Sequence, residues 1–449
     1  MTTRRLSKVK LAVAAAAAVL TLGALSAQAA EKSAEKSAES AAPAVTVLRA
    51  THLFDSVSGK LVSPGVLVIS GKKILSVGNA VVPAGARVIE LGDATLLPGF
   101  IDAHVHLSDA MSDNFYKDFY NGVLRFPAEQ ALYGARHAKD TLEAGFTSVR
   151  DVGSEDYIAL GLRNAINAGV IPGPRMLVSN YPIGATAGHA DQAPFPPEKI
   201  APAGPIQGVC NGADQCRAAV RYQIKYGADV IKFMPSGGVL SLTDPVDVPE
   251  LTADEMNAIV SEAHMWGRKV AAHCHGDLAA KMAIAAGVDS IEHGSFLKDD
   301  TLQLMKAKHV FLVPTLYAGF WVGQRADNFP PVIADKARAA AAQMMQMFER
   351  AARIGVPVAF GTDAGVEPHG TNAKEFWLMT QHGFTSAQSL MAGTANGAEL
   401  LGVKDRVGTL EAGKLADVVA VPGDALAHIE ATAHPLFVMK EGAVVVDGK

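Results

Sequence analysis

The chain has 449 residues, 49% of them apolar, and a formal net charge of −5. That length allows one large domain and a smaller one, and the apolar content excludes intrinsic disorder. So small a charge lacks the basic footprint that nucleic acid requires, so nucleic acid is not an expected partner.

Arg4, Arg5, Lys8 and Lys10 precede an apolar run from Leu11 to Leu25, and the small-residue site Ala27-Gln28-Ala29 follows. Residues 1–30 read as a bacterial secretory signal peptide, too short and too alanine-rich for a membrane span. The expected location is periplasmic or secreted, with no membrane partner. Thr3-Arg4-Arg5 leaves general and twin-arginine export both open. Residues 31–42, with the polar repeat Glu31-Lys32-Ser33-Ala34-Glu35-Lys36-Ser37-Ala38, read as a disordered linker.

Residues 43–95 alternate in short β-like runs punctuated by Gly and Pro, and residues 403–449 do the same. Neither end can build a core alone, so they are expected to pair into one small β-sandwich. From 96 to 402 apolar strand-like runs alternate with helical segments. The strand candidates are Leu97–His106, Ser148–Val152, Met176–Ser179, Val230–Met234, Val270–His275, Ser290–His293, Val310–Thr315 and Pro357–Gly361. Pro127 opens a helix that Gly145 ends, and Thr252 through Glu255 forms a capping box. Eight such repeats predict an α/β fold, a (β/α)8 TIM barrel. Segment 180–212 is an excursion over the barrel mouth. Cys210 and Cys216 flank five residues there and either bridge or stay reduced; Cys274 is expected to be a free thiol.

In such a barrel, chemistry collects at the C-terminal strand ends. His104 and His106 are spaced i, i+2 at the first, so both imidazoles face one side. Lys232 sits inside the apolar run Val230–Met234, where a cation is costly unless neutralised or paired. His273-Cys274-His275, Glu292-His293 and Thr362-Asp363 close three further strands. Polar groups at five strand ends point to one metal centre. The pair Arg150-Asp151 reads as a buried ion pair. Phe115, Tyr116, Phe119, Tyr120 and Phe126 follow the first strand, where Tyr116 and Phe119 are candidates to wall an apolar pocket or else to pack the loop or a subunit contact. His189, on the long loop, is a candidate for a substrate carboxylate.

The run Pro98-Gly99-Phe100-Ile101-Asp102-Ala103-His104-Val105-His106 and the return Gly408-Thr409-Leu410-Glu411-Ala412-Gly413-Lys414-Leu415-Ala416-Asp417 resemble the amidohydrolase superfamily of metal-dependent hydrolases. Thr147–Gly153, Gly173-Pro174-Arg175-Met176 and Ser236-Gly237-Gly238-Val239 are similar to its Xaa-Pro and Xaa-Arg/Lys dipeptidases, a group that also holds ochratoxin-hydrolysing amidohydrolases. The resemblance implies two divalent metal ions, zinc by default. His104, His106 and Asp363 would bind the more buried ion, His273 and His293 the second, and Lys232, as N6-carboxylysine, both. Two cations make a shared water acidic enough to ionise at neutral pH, with Asp363 taking its proton and passing it to the leaving amine. Some dipeptidases of the family carry a tyrosine where this chain has His275, which would polarise the scissile carbonyl or else serve as an outer support. The implied activity is hydrolysis of an amide to a C-terminal amino acid, on a dipeptide or small-molecule substrate such as ochratoxin A, by a homo-oligomer. A cyclic-amide hydrolase or lactonase on the same centre is the alternative. A mononuclear deaminase would need no Lys232, and a scaffold without metal would not keep all six ligand positions.

Overall fold

The computed structural model describes residues 45–78, 81–191, 195–196 and 198–448. The expected signal peptide and linker lie outside the described residues. From Thr46 onwards the chain forms one compact unit.

Strands β1 (Val45–Ala50), β2 (His52–Asp55), β3 (Lys60–Val62), β4 (Gly65–Ser70), β5 (Lys73–Val77), β6 (Arg87–Glu90) and β7 (Ala94–Pro98) come from the N-terminal part. The C-terminal part adds β15 (Val418–Pro422), β16 (Phe437–Lys440) and β17 (Ala443–Asp447). They form a four-stranded sheet, β5-β4-β1-β6, and a six-stranded sheet, β17-β16-β15-β7-β2-β3. Antiparallel pairing of β15 with β7, from Val418 opposite Pro98 to Pro422 opposite Ala94, joins the two chain ends. Leu48, Leu67 and Ile69 of the first sheet share a buried cluster with Leu96, Val418 and Phe437 of the second. Water is thus excluded from one face of each sheet, which supplies the burial that neither end has alone.

Between the ends, β8 (Phe100–Val105), β9 (Phe146–Asp151) and β10 (Arg175–Val178) form one parallel sheet. A second contains β11 (Val230–Phe233), β12 (Lys269–Cys274), β13 (Ser290–His293) and β14 (Phe311–Val313). Every residue of β8, β9 and β11 is buried, as strands covered on both faces require. Backbone hydrogen bonds connect the sheets on both sides. Asp229 N donates to Val178 O at 2.8 Å and Ile183 N to Lys232 O at 2.9 Å. Across the other gap, Ala359 N donates to Leu312 O at 3.0 Å, Ala103 N to Phe360 O at 2.8 Å and Asp363 N to His104 O at 2.8 Å. The whole is a TIM-barrel-like α/β fold.

Two expected strands differ. Leu97–His106 is two strands, β7 in the terminal sheet and β8 in the barrel-like region. Gly99 separates them where a Cβ would lie 2.2 Å from Thr147 Oγ1, so only glycine permits the crossing. Pro357–Gly361 makes only isolated parallel bridges, Leu312 with Val358 and, just beyond, Val105 with Ala364. The helices fall where their signals stand: Pro127–Glu143 begins at its proline, and Thr252 caps Ala253–Met265 with Glu255 reciprocating. Cys210 and Cys216 form a disulfide with Cα atoms 5.0 Å apart, and Cys274 is free and buried. Among the described residues no helix is long and apolar enough to cross a membrane.

Candidate metal centre

Parallel strands bring all their C-terminal ends to one rim. His104 lies one residue before the end of β8 with His106 just beyond it, Lys232 lies in β11, His273 in β12 with His275 past its end, and His293 closes β13. Asp363 follows the bridged segment. His293 and Asp363 hold left-handed backbone, φ 69° and 71°, which is uncommon for non-glycine residues. That conformation breaks strand alternation and turns both side chains towards the others.

The imidazoles and the carboxylate gather in two groups, His104–His106–Asp363 and His273–His275–His293, each with possible ligand atoms within 4.8 Å of one another. Asp363 Oδ1 lies 3.3 Å from His104 Nε2 and 3.2 Å from His106 Nε2. Lys232 Nζ lies 3.4 Å from His104 Nε2. The rings of His104 and His293, one from each group, have centroids 4.9 Å apart.

The far sides of four rings, those of His104, His106, His275 and His293, are committed elsewhere. His104 Nδ1 donates to Glu292 Oε2 at 2.8 Å and His106 Nδ1 to the Gly153 carbonyl at 2.9 Å. His275 Nδ1 and His293 Nδ1 pair at 2.8 Å with the hydroxyls of Ser295 and Thr315. Outer partners on one nitrogen leave the other facing inward, as metal-binding histidines require. His273 Nε2 is buried with no hydrogen-bond partner. These inward nitrogens and a carboxylate oxygen fit a borderline divalent cation such as zinc, cobalt or manganese.

Lys232 is 1% exposed. Burial pushes its ammonium down to about 8, against the opposing pull of Glu292 and Asp363. Glu292 is the group that sequence reasoning missed, although it stands beside His293. Burial resists its ionisation, but Arg150 and His104 outweigh that and hold it at about 2. Arg150 Nη2 donates to Glu292 Oε1 at 2.8 Å, so the expected Arg150–Asp151 pair is instead Arg150–Glu292. Asp151 accepts from the Leu107 amide.

A cavity of ≈ 190 Å³ opens onto the cluster. His189 lines it with its ring tilted over His273 at 4.4 Å, and burial pushes its pKa down to about 4, so the ring is neutral. Tyr116 and Phe119 do not line it: Tyr116 is 66% exposed, and Phe119 stacks on Phe195 at 5.8 Å. Met234, Val239, Leu240, Val322 and Met344 supply the apolar wall, with Gly319 and Ala340 as small positions. Among the described residues the lining has no phenylalanine, tyrosine or tryptophan. No local pattern marks this wall, because it is assembled from side chains scattered between Met234 and Met344.

Residues 95–446 match the sequence profile of the amidohydrolase family. The chain belongs to that family. Amidohydrolases are hydrolases of carbon–nitrogen bonds and typically depend on metal, which the two imidazole groups suit. Ochratoxinase of Aspergillus niger is 31% identical to this amidohydrolase over 413 residues, spanning 87% of this chain and 84% of that protein. A Xaa-Pro dipeptidase solved with methionine in its active site superposes with a TM-score of 0.86 at 37% identity, covering 89% of this chain and 99% of the other. The crystal structure of A. niger ochratoxinase superposes at 0.80 with 30% identity, covering 91% and 96%.

Proposed function

We propose that this amidohydrolase cleaves the amide bond to a C-terminal amino acid, in the manner of a dipeptidase or carboxypeptidase, and accepts N-acyl-phenylalanine amides such as ochratoxin A. The observation that carries this is the convergence of five histidines, Lys232 and Asp363 at the mouth of an apolar cavity. Similarity to a Xaa-Pro dipeptidase and to ochratoxinase supports the substrate class. In this reading the fold is a closed (β/α)8 barrel with a β-sandwich from both chain ends.

His104, His106 and Asp363 would hold one divalent ion, His273 and His293 a second, and Lys232 both. Bound cations supply Lewis-acid polarisation of a water and of the scissile carbonyl. Lys232 is suited to carboxylation because burial lowers its pKa to about 8, so that a minor share of the amine is neutral at physiological pH. That amine adds to carbon dioxide, forming an N–C bond and releasing one proton, and the buried cation becomes an anionic ligand. Asp363 takes the proton of the attacking water and returns it to the leaving nitrogen. His275 Nδ1 lies 2.8 Å from the Ser295 hydroxyl; with that hydroxyl donating, Nε2–H would face the carbonyl oxygen, which gains negative charge during attack.

The enzyme works outside the cytoplasm as a homo-oligomer. The helix Phe115–Leu124 has no buried residue. Tyr116, Tyr120, Val123, Leu124, Phe126 and Leu132 are each at least half exposed around it. They present on the order of 800 Å² of surface, about what one partner brings to a stable interface. A second copy of the chain is the occupant this area fits.

The test is a panel of Xaa-Phe, Xaa-Pro and Xaa-Arg dipeptides with ochratoxin A, set against hydantoins and lactones. Turnover of at least one dipeptide or N-acyl amino acid is expected. Turnover of cyclic amides or lactones alone would move the assignment to the alternative, and no turnover of any amide would reject it.

A further inference from the structure

We propose that Lys336 is a positioning residue: its ammonium holds the loop 237–248 against the helix Pro331–Ile354 and so sets the apolar wall that receives a substrate side chain. This role rests on the amidase reading above and names the group that fixes the shape of its cavity.

Ser236 and Pro249 form an antiparallel bridge and Glu250 N donates to Pro235 O at 2.9 Å, so residues 237–248 form a loop closed at its base. Inside it the Gly238 N–H donates to Asp244 Oδ2 at 2.6 Å. A Cβ on Gly237 would lie 2.1 Å from the Pro245 carbonyl oxygen, so the loop folds this tightly only with glycine there. Backbone carbonyls in such a turn have no sheet ladder to satisfy them and need donors from elsewhere. Lys336 Nζ donates to two of them, Gly238 O and Asp244 O, at 2.8 Å each. Hydrogen bonds from an ammonium are stronger than those between neutral groups. The lysine side chain is only 14% exposed, and Asp244 Oδ1, 4.0 Å away, offsets its buried charge.

Both sides of this latch belong to the cavity. Gly238 directly precedes Val239 and Leu240, which line it. On the helix, Lys336, Ala340 and Met344 are spaced i, i+4, i+8 and lie along one face, and the last two also line the cavity. Lys336 therefore stands one helical turn from the wall it steadies. Apolar contact supplies part of the grip, since Val239 and Val246 share a buried cluster with Ala334, Ala337 and Ala340. Those alanines offer single methyl groups, so packing gains little area from them and the ammonium carries more of the hold. Its bonds go to the loop backbone and not to the metal-ligand candidates. Losing them should change what the cavity accepts and leave the chemical step in place.

Hydrogen–deuterium exchange of the full chain reads the latch without turnover. Lys336→Met keeps the apolar stem and loses the donors. It is expected to speed exchange in peptides spanning 236–250 by on the order of 10-fold while the barrel strands stay protected. On the metal-loaded enzyme the same variant is expected to raise KM for Ala-Phe by on the order of 10-fold and KM for Ala-Gly by about twofold, with kcat for both held within about threefold. Lys336→Arg, which can donate to two carbonyls, should keep both readings near those of the unaltered enzyme. Should the methionine variant not fold, Lys336→Gln carries the same two measurements and should show the same split in smaller measure. Unchanged exchange in 236–250 would overturn the latch. Faster exchange across the whole chain, or equal losses on both dipeptides, would leave Lys336 a general stabilising role and overturn the proposal too. If the unaltered enzyme hydrolyses no amide the functional reading fails, and the exchange pattern still decides whether Lys336 holds the loop.

Discussion

At the scale of single residues, Lys232 and Glu292 are the buried charged groups beside His104. Lys232→Ala removes the buried amine that lies 3.4 Å from His104 Nε2 and is proposed to bridge the two ions. It is expected to lower zinc from two ions per chain towards one and to cut kcat by on the order of 10³, checked by elemental analysis and steady-state kinetics. Unchanged metal content would rule out its bridging role. Glu292 acts through His104, whose ring it orients. Glu292→Gln is expected to weaken metal binding about 10- to 100-fold in a chelator competition, with the circular dichroism spectrum unchanged. His275→Asn should leave metal content intact while lowering kcat by on the order of 10². Retained kcat would make His275 an outer support. The gathering of His104 and His106 on one side was legible because His-x-His at a strand end fixes direction from alternation alone. The Arg150 partner was not. Neighbours along a strand point to opposite faces, so Arg150 cannot meet Asp151 and instead pairs across the fold with Glu292, 142 positions away.

At the scale of elements, the helices Leu316–Gln324 and Pro331–Ile354 set the size of the cavity. Gly319 admits Met344: a Cβ there would lie 2.6 Å from the Met344 sulfur. That sulfur ends a flexible chain, so a larger residue at 319 displaces it into the cavity rather than unfolding the helix. Gly319→Val is expected to raise KM for Xaa-Phe more than for Xaa-Ala, and Met344→Ala to do the reverse. Equal effects on both substrates would show that this wall does not touch the side chain. The alternation of strands and helices was readable because buried parallel strands are uninterrupted apolar runs. The same property hid the break at Gly99, since Leu96 to Val105 reads as a single run and only the close approach of Thr147 separates its two halves.

At the scale of the whole molecule, residues far apart in sequence share one rim, and metal bound there would tie β8, β11, β12 and β13 together. Ligands that bind only the folded state stabilise it, so exhaustive chelation is expected to lower Tm and re-addition of zinc to restore it. The exposed helix Phe115–Leu124 belongs to this scale too. Tyr116→Glu with Tyr120→Glu should reduce the mass measured by light scattering, whereas an unchanged mass would free that face from subunit contact. The most direct measurement is anomalous diffraction at the zinc edge from crystals of the zinc-loaded enzyme. Two peaks are expected, one among His104, His106 and Asp363 and one between His273 and His293, with the Lys232 side chain extended by a carboxylate reaching both. A single peak, or an unmodified Lys232 amine beside two, would contradict the account.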